Sequence, residues 1–314
     1  MHVQSWYVAA RSEEVRRGRA LTRDLFGRRV ALFRGQDGGV RALDARCAHL
    51  GADLGQGTVV DNALRCPFHH WTYDGSGRCV AVPSQPDVPP FARTFSYPVE
   101  ERHGAVFLFN GPRAAFPLPS FEAWRDEDLR AIRLPPRRLR CHPHLAVANG
   151  LDVEHYRTVH GLDFVAPPVV EEPDEHRVRI RLALRLRPQG AVARALRMIA
   201  GETFAATFTT WGASMATIEG AAGGVPLLVL FTHRLEAEGG SASQTFLFQP
   251  RRRGLAAMLV VQVLMAYVLS GDRHVLERVQ FHPCLVAADA PLAAFIRRVN
   301  AMPADRNSPG SPDA

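Results

Sequence analysis

Lysine is missing from this sequence, so its 38 lysine-or-arginine positions are all arginine, against 31 acidic residues. The resulting formal net charge of +7 comes from arginines that are spread along the chain. A nucleic-acid-binding face would show a basic stripe with interleaved aromatic residues, and the sequence has no such stripe. The sequence therefore argues against a nucleic-acid partner. The excess of arginine indicates a compositional bias or, as the alternative, a docking face for an acidic protein.

Long apolar runs are also scarce. The longest, at 254–271, falls short of the roughly 20 residues that a membrane-spanning helix needs, so we expect a buried helix there and no membrane association. The chain does not begin with a cationic segment followed by a short apolar one, and we expect no secretory signal. Five cysteines, an odd number, argue against a disulfide framework and favour a reducing cytoplasm.

A dinucleotide-binding fingerprint is missing as well. The glycine-rich stretch at 220–224 lacks the strand-then-helix context that such a fingerprint requires. We therefore expect this chain not to bind NAD(P)H itself.

Two regions with different patterns are present. The first third of the chain shows short apolar runs between Gly-, Asp- and Arg-rich turns, which indicates a small all-β domain. A linker containing Gly and Pro follows at 111–120. We predict domains at 1–115 and 116–300, and a disordered tail at 301–314. The clearest strands of the first domain are expected at 6–10, 28–34 and 105–110.

The second region combines alternating apolar residues with helical patterns. Apolar alternation with period two is typical of antiparallel strands with one buried face. The stretches that show it are 178–188, 202–220, 225–237 and 243–250. Helical patterns flank them at 146–159 and 254–281. The predicted fold class is α+β: an all-β N-terminal domain, then a curved antiparallel sheet packed on long helices in a helix-grip-like arrangement.

Two cysteines and two histidines near the start have the spacing of metal ligands. Cys47-x-His49 and Cys66-x-x-His69 each pair one thiol with one imidazole. Structural zinc, the common alternative, more often pairs Cys with Cys and His with His. The mixed pairing suits a two-iron cluster in which one iron takes both cysteines and the other both histidines, which raises the reduction potential.

The residues around these pairs resemble the two cluster loops of Rieske [2Fe–2S] proteins. The first loop reads CAHLGADL from Cys47, and the second reads CPFHHW from Cys66. The resemblance covers about residues 5–110 and implies that Cys47, His49, Cys66 and His69 bind the cluster. A zinc-binding interaction protein remains the alternative.

A second constellation lies in NGLDVEHYRTVHGLDF, at 149–164. Asn149, Asp152 and His155 recur every three residues and would share one face of a helix. His160 lies about 140° further round an ideal helix than His155, so one straight helix cannot aim both at a point. We predict that the helix ends or widens before the following glycine and lets His160 fold back. Two such histidines indicate mononuclear iron with a carboxylate as third ligand, the alternative being a polar helix end.

The string N-x-x-D-x-x-H-x-x-x-x-H resembles, without a departure, the iron-binding signature of Rieske non-haem iron oxygenases. The resemblance implies that both histidines of the string hold Fe(II) and that Asn149 belongs to the site. It also implies that Asp152 accepts from the ring of His155 and from that of His69, or alternatively His49, in a neighbouring subunit of a homotrimer. In that family the aspartate carries the electron across the subunit interface.

The third iron ligand is expected in the segment 270–283. A helix there places Asp272 on an apolar stripe, where a carboxylate is costly unless it is paired or binds metal. The other residues of that stripe are Val275, Leu276 and Val279. Glu277 lies on the other side, within reach of Arg273. We predict Asp272 as the ligand, with Glu277 as the alternative, and a late helix of the family that opens with an acid resembles this segment.

The two sites together predict an oxygenase component. The cluster would pass electrons to Fe(II), which would use O2 to hydroxylate or desaturate a bulky apolar substrate. The late segment resembles the 3-ketosteroid hydroxylase and cholesterol desaturase type more than the arene dioxygenases. Alternatives are arene dihydroxylation or oxidative cyclisation at the same site, and a non-catalytic Rieske electron carrier. The residues predicted to line the pocket are Phe204, Phe208, Trp211, Met215 and Phe231.

The remaining histidines of the second region have no partner at ligand spacing. We expect them to have structural or surface roles. They are His142, His144, His233, His274 and His282.

Overall fold

The computed structural model divides the chain into two compact units, Met1–Ala115 with Pro303–Ala314, and Phe116–Met302. The division falls inside the linker expected from the sequence. From residue 304 onward the predicted tail lies outside the described residues. No helix in the described part of the chain is long and apolar enough to cross a bilayer. The structure describes residues 2–187, 194, 197–198, 201–236, 239–253, 255–279 and 282–303.

The first unit is made of short antiparallel strands. The strand predicted at 28–34 is confirmed as β3, residue for residue, and those at 6–10 and 105–110 are confirmed as β1 and β11. The strands of this unit are β1 (Trp6–Arg11), β2 (Ala20–Leu25), β3 (Arg28–Arg34), β4 (Val40–Asp44), β5 (Thr58–Val60), β6 (Ala63–Arg65), β7 (Thr72–Tyr73), β8 (Cys79–Ala81), β9 (Ser96–Tyr97), β10 (Val99–Arg102) and β11 (Ala105–Phe109).

These strands form small sheets in the orders β1-β11-β10, β2-β3-β4-β9 and β5-β6-β7-β8. Strands as short as β7 cannot bury much surface alone, so the sheets share packed apolar clusters. One such cluster contains Phe33, Leu54, Leu64 and Tyr73, and it surrounds the two cysteines of the metal-like motif. The cysteine-bearing loops therefore rest on a packed base.

The second unit is dominated by one antiparallel sheet, which counts nine strands among the residues described. Its main path runs β12-β20-β19-β18-β17-β16-β14, with β13 paired to β20 and β15 paired to β16. The α+β fold class is confirmed. Its strands are β12 (Leu129–Arg133), β13 (Arg137–Leu139), β14 (Leu162–Phe164), β15 (Val169–Asp174), β16 (Arg177–Leu186), β17 (Thr203–Trp211), β18 (Met215–Ala222), β19 (Val225–Leu235) and β20 (Ser241–Pro250).

Glycines with positive φ make the tight turns of this sheet. Gly223 and Gly224, at φ +57° and +73°, form the two-residue turn between β18 and β19. The glycine-rich stretch at 220–224 therefore belongs to a hairpin, as expected from its lack of a dinucleotide-binding context. The stretch at 202–220 is split into β17 and β18 by a turn at Gly212, whose φ is +59°.

The helices differ more from expectation. The single helix predicted at 146–159 is wrong, because the structure has two short helices separated by a turn of 3₁₀ helix. The long helix predicted at 254–281 is confirmed from Leu255 to Leu276 and packs against β19 and β20. Residues 277–279 are not helical, and 254, 280 and 281 lie outside the described residues. A last helix was not foreseen. The helices are α1 (Pro143–Ala148), α2 (Val153–Thr158), α3 (Leu255–Leu276) and α4 (Ala290–Ala301).

Candidate metal centres

The four residues of the first motif separate into buried thiols and exposed imidazoles. Cys47 and Cys66 are each 2% exposed, whereas His49 and His69 are exposed at the end of the first unit's loops. The two imidazole rings lie 4.7 Å apart between centroids. The motif thus offers two sulfur ligands inside the unit and two nitrogen ligands at its surface.

Local backbone turns present these ligands. The N–H of Gly51 donates to the carbonyl of Cys47 at 2.9 Å, and Gly51 takes a φ of +76° that favours glycine. In the second loop the N–H of Cys66 donates to the carbonyl of Trp71 at 2.8 Å. His70 adopts a φ of +60°, uncommon for a residue with a Cβ, and it is exposed beside the motif in sequence.

Tyr73 supports the sulfur side of the motif. Its hydroxyl accepts from the N–H of Ala48 at 3.1 Å, so its own hydrogen is available to Cys47 Sγ, 3.2 Å away. Burial raises the pKa of the Cys66 thiol, so a thiolate there needs a bound cation to stabilise it. The donor set of two enclosed sulfurs and two surface imidazoles fits a [2Fe–2S] cluster.

The second motif brings two candidate ligands, His155 and His160, together with Asp272. The ligand atoms of His155, His160 and Asp272 all lie within 4.8 Å of one another. Asp272 Oδ1 is 3.0 Å from His160 Nε2 and 3.8 Å from His155 Nε2. Glu277, the alternative, follows the last residue of α3 and pairs with Arg273 at 2.6 Å, as its spacing predicts. Two imidazoles and one carboxylate fit the donor set of a mononuclear iron site.

Asp152 explains why the predicted helix is broken. Its φ and ψ, −77° and 107°, are extended, and its carboxylate accepts from the backbone N–H groups of Glu154 and His155 at 3.0 and 3.3 Å. Those hydrogen bonds make Asp152 the N-cap of α2, so a new helix begins after it. Gly161, with a φ of +63°, follows the end of α2, and His160 folds back towards His155 as predicted.

The backbone of Asp152 also sets the tautomer of His155. The ring Nδ1–H donates to the Asp152 carbonyl oxygen at 2.5 Å, which leaves the lone pair of Nε2 for a metal. Burial lowers the pKa of His155 and so favours the neutral ring that ligation needs. The expectation that the carboxylate of Asp152 accepts from this ring is wrong within the chain, because the carboxylate is turned towards the start of α2.

Asp272 is held from the side by Asn149. The amide Nδ2 of Asn149 donates to Asp272 Oδ1 at 3.0 Å, which fixes the orientation of that carboxylate. Of the three residues expected on the apolar stripe with Asp272, Leu276 is buried as predicted, whereas Val275 and Val279 are 38% and 40% exposed. The buried face of α3 carries Leu276 together with Val261 and Met265.

A cavity of about 120 Å³ opens beside the three ligands, next to an apolar cavity of about 70 Å³. Phe208 lines both, Phe231 lines the first and Phe204 the second, so three predicted pocket residues lie where expected. Trp211 and Met215 are buried but line neither of these two cavities. Trp211 is an odd number of residues from Phe208, so the pleat turns it to the other face of the sheet.

His233 was assigned a structural or surface role, and the structure places it in the wall of the first cavity instead. The pattern of β19 carried the signal, because His233 is two residues from Phe231 and therefore on the same face of the strand. Tyr156, between the two histidines in sequence, also lines both cavities.

Comparisons of sequence agree with these sites. Residues 5–92 match the family of the Rieske [2Fe-2S] domain. The chain is 31% identical over 169 residues to the probable 3-ketosteroid-9-alpha-monooxygenase oxygenase component of Rhodococcus rhodochrous, covering 51% of this chain and 41% of the relative. It is 39% identical over 180 residues to aminopyrrolnitrin oxygenase of Pseudomonas fluorescens, covering 52% of this chain and 47% of the relative. It is 31% identical over 159 residues to cholesterol 7-desaturase of Bombyx mori, covering 49% of this chain and 35% of the relative. The matches thus span less than half of each relative.

Comparison of structures shows the fold over nearly the whole chain. Dicamba monooxygenase bound to 3,6-dichlorosalicylic acid superposes with a TM-score of 0.67 at 24% identity, covering 95% of this chain and 96% of that one. The likeness covers residues of both units, so each of the two has a fold in common with that structure.

Proposed function

We propose that this chain, a member of the Rieske non-haem iron oxygenases, is an oxygenase component that hydroxylates or desaturates a bulky apolar substrate. The observation that carries the proposal is the convergence of His155, His160 and Asp272 on a largely apolar cavity. Bound iron would supply the activation of O2 there, with Cys47, His49, Cys66 and His69 holding the cluster that delivers electrons.

The residues of the chain prepare this chemistry. The carbonyl of Asp152 holds His155 in the tautomer that ligates, and Asn149 holds the carboxylate of Asp272. Three protein ligands leave further coordination positions open for reactants. The aromatic and aliphatic walls of the cavity exclude water from the reacting C–H bond.

The reaction needs reducing equivalents from outside the chain. Hydroxylation consumes substrate, O2, two electrons and two protons and yields the alcohol and one water. Desaturation uses the same inputs and yields the alkene and two waters. We propose a separate NAD(P)H-dependent reductase, working directly or through a ferredoxin in the cytoplasm, as the source of the electrons.

The route of the electron is proposed to run between subunits of a homotrimer. Asp152, which follows Leu151, is half-buried. The Oδ2 atom of its carboxylate accepts no hydrogen bond from any described residue. That oxygen is free to accept from the exposed ring of His69 in a neighbouring subunit, with His49 as the alternative. This connection rests on the resemblance to the family and on the exposure of both rings.

Metal analysis tests the proposal. A purified holoprotein should contain three irons per chain, and His160→Ala should contain two while keeping the optical spectrum of the cluster. His274→Ala, an exposed histidine on α3, is the matched control and should keep all three. Two irons per chain in the wild type would favour the non-catalytic electron carrier.

The relatives guide the choice of substrates. A 3-ketosteroid monooxygenase component, a cholesterol desaturase and an aminopyrrolnitrin oxygenase all carry large, mostly apolar substrates in their names. Consumption of O2 by the reduced holoprotein should therefore rise with steroids or fused-ring compounds. Arene dihydroxylation and oxidative cyclisation would appear in the same assay as different products.

A further inference from the structure

His233 is a buried polar side chain without a hydrogen-bonding partner. The residue is 7% exposed, and its backbone N–H donates to the Ser214 carbonyl at 2.7 Å. The ring forms no hydrogen bond with any described residue, and its Nδ1 is fully enclosed without a partner. Buried polar atoms are paired in the great majority of cases, so a ring nitrogen that faces the cavity without a partner among the described residues is a candidate contact for a ligand.

The enclosed nitrogen determines what the ring can offer. Burial lowers the pKa of His233 to about 4, so the ring is neutral and carries one proton. A buried N–H without an acceptor is rarer than a buried nitrogen lone pair without a donor. The lone pair is therefore assigned to the enclosed Nδ1 and the proton to Nε2. Since the ring lines the cavity and Nδ1 is enclosed, Nε2 is the nitrogen that can meet a ligand. The cavity therefore has a hydrogen-bond donor at this point.

Two hydroxyl groups lie on the same side of the sheet. His233 pairs with Ser243 across β19 and β20, and Phe231 pairs with Thr245. Directly paired residues point to one face, and all four line the cavity. This end of the cavity is therefore polar, although the sheet around it is apolar.

The other end is apolar and far away. Leu227 lies six residues before His233 on β19 and lines the second cavity, together with Phe204 and Leu184. Six residues of a strand span about 20 Å, so the two cavities follow β19 for that distance. A ligand that fills them has an apolar body at one end and meets a donor at the other.

We propose that His233 is a specificity-determining residue that donates from Nε2 to a carbonyl or hydroxyl oxygen of the substrate. The substrate class is thus an elongated apolar skeleton with a hydrogen-bond-accepting oxygen at one end, anchored so that a C–H bond in between lies beside the candidate iron ligands. This inference rests on the proposed function in that it calls the bound ligand a substrate. The binding preference that it describes can be measured without turnover.

Matched ketones and hydrocarbons test the preference by equilibrium dialysis with the anaerobic holoprotein. The probes are androst-4-ene-3,17-dione with 5α-androstane, and 9-fluorenone with fluorene. At least one ketone should bind about tenfold more tightly than its hydrocarbon, as one hydrogen bond predicts. His233→Leu should remove that preference, whereas His233→Gln, which keeps an N–H donor, should retain it in part.

Two further measurements separate recognition from a structural role. The ¹⁵N spectrum of the ring, assigned by its loss in His233→Gln, should show the neutral tautomer with the proton on Nε2. His233→Leu should unfold at the same temperature as the wild type or higher, because it removes an unpaired buried atom.

Several outcomes would overturn the inference. They are no binding of either ketone, equal binding of ketone and hydrocarbon, a proton on Nδ1, or a large loss of stability in His233→Leu. Loss of the third iron or of O2 consumption would instead contradict the proposed function and leave the binding preference intact. The two claims therefore fail separately.

Discussion

Asn149 holds the candidate metal ligand Asp272 in place without being a candidate ligand itself. Its amide donates to the same oxygen of Asp272 that lies nearest to both imidazoles. An uncharged donor orients the carboxylate without competing for the metal, as a second cation would. The spacing of Asn149 from His155 suggested membership of the site, but its contact with α3 lies 123 residues away in sequence.

Asn149→Ala tests this contact. We expect the affinity for Fe(II) to fall by about 10- to 100-fold, which is the usual effect of losing a partner of a metal ligand. Competition with a chromophoric chelator measures the affinity of the anaerobic protein. As the control, His274→Ala should have the wild-type affinity for Fe(II). An unchanged affinity in Asn149→Ala would show that Asp272 keeps its orientation without the hydrogen bond from Asn149.

The pKa of His233 predicts a pH dependence of stability. Burial holds this pKa at about 4, while an unfolded histidine titrates near 6.5, so the unfolded chain binds more protons between these values. The free energy of unfolding should therefore fall as the pH falls from about 6.5 to 4, by roughly 1.4 kcal/mol per unit at most. His233→Gln lacks this dependence, and the difference between the two urea-denaturation series isolates it. If the unfolding free energies of the wild type and of His233→Gln changed equally with pH, the prediction would be wrong.

At the scale of elements, strands were easier to predict than the helices of the site. β3 and β11 have apolar runs bounded by turns, so their pattern is local. The break between α1 and α2 depends on one side chain, Asp152, whose capping hydrogen bonds could not be distinguished from a continued helix by spacing. The convergence of Asp272 on the histidines depends on how α3 packs, which periodicity predicts only to within one position.

Gly150 lets Phe208 reach the cavity. A Cβ at Gly150 would lie 2.3 Å from carbons of the Phe208 ring, which lines both cavities. Gly150→Ala should push that ring into the cavity, weaken the binding of bulky ligands at least about tenfold and leave the iron content unchanged. Phe208→Leu in the same chain should restore part of the affinity. If Gly150→Ala bound bulky ligands as tightly as the wild type, the backbone at residue 150 would have shifted and the Phe208 ring would have stayed in place.

At the scale of the whole molecule, spacing predicts both metal sites, whereas the path between them is predicted only by the resemblance to the family. Each site is a set of ligands with a fixed spacing, and the spacing survives in the sequence. The path depends on how one subunit meets another, which no spacing within one chain contains. Apolar side chains beside the cluster motif, Leu50 and Phe68 at 66% and 61% exposure, are suited to such a contact.

Asp152→Asn separates the two roles given to Asp152. Asparagine caps helices as well as aspartate does, so the melting temperature and the three irons should be unchanged. Without the carboxylate the proposed connection to His69 is lost, and single-turnover reduction of the mononuclear iron should slow by at least about tenfold. Asp152→Ala should lose the cap as well, at a cost of about 1 kcal/mol. Wild-type reduction in Asp152→Asn would exclude the connection.

The N-cap at Asp152 restricts the amino acids that this position accepts. A side chain one methylene longer, as in Glu, keeps the negative charge but reaches past the first N–H groups of α2. Asn reaches them and is neutral. If the electron route is as proposed, one residue type in twenty meets both demands, and even the most conservative exchanges at position 152 should be poorly tolerated.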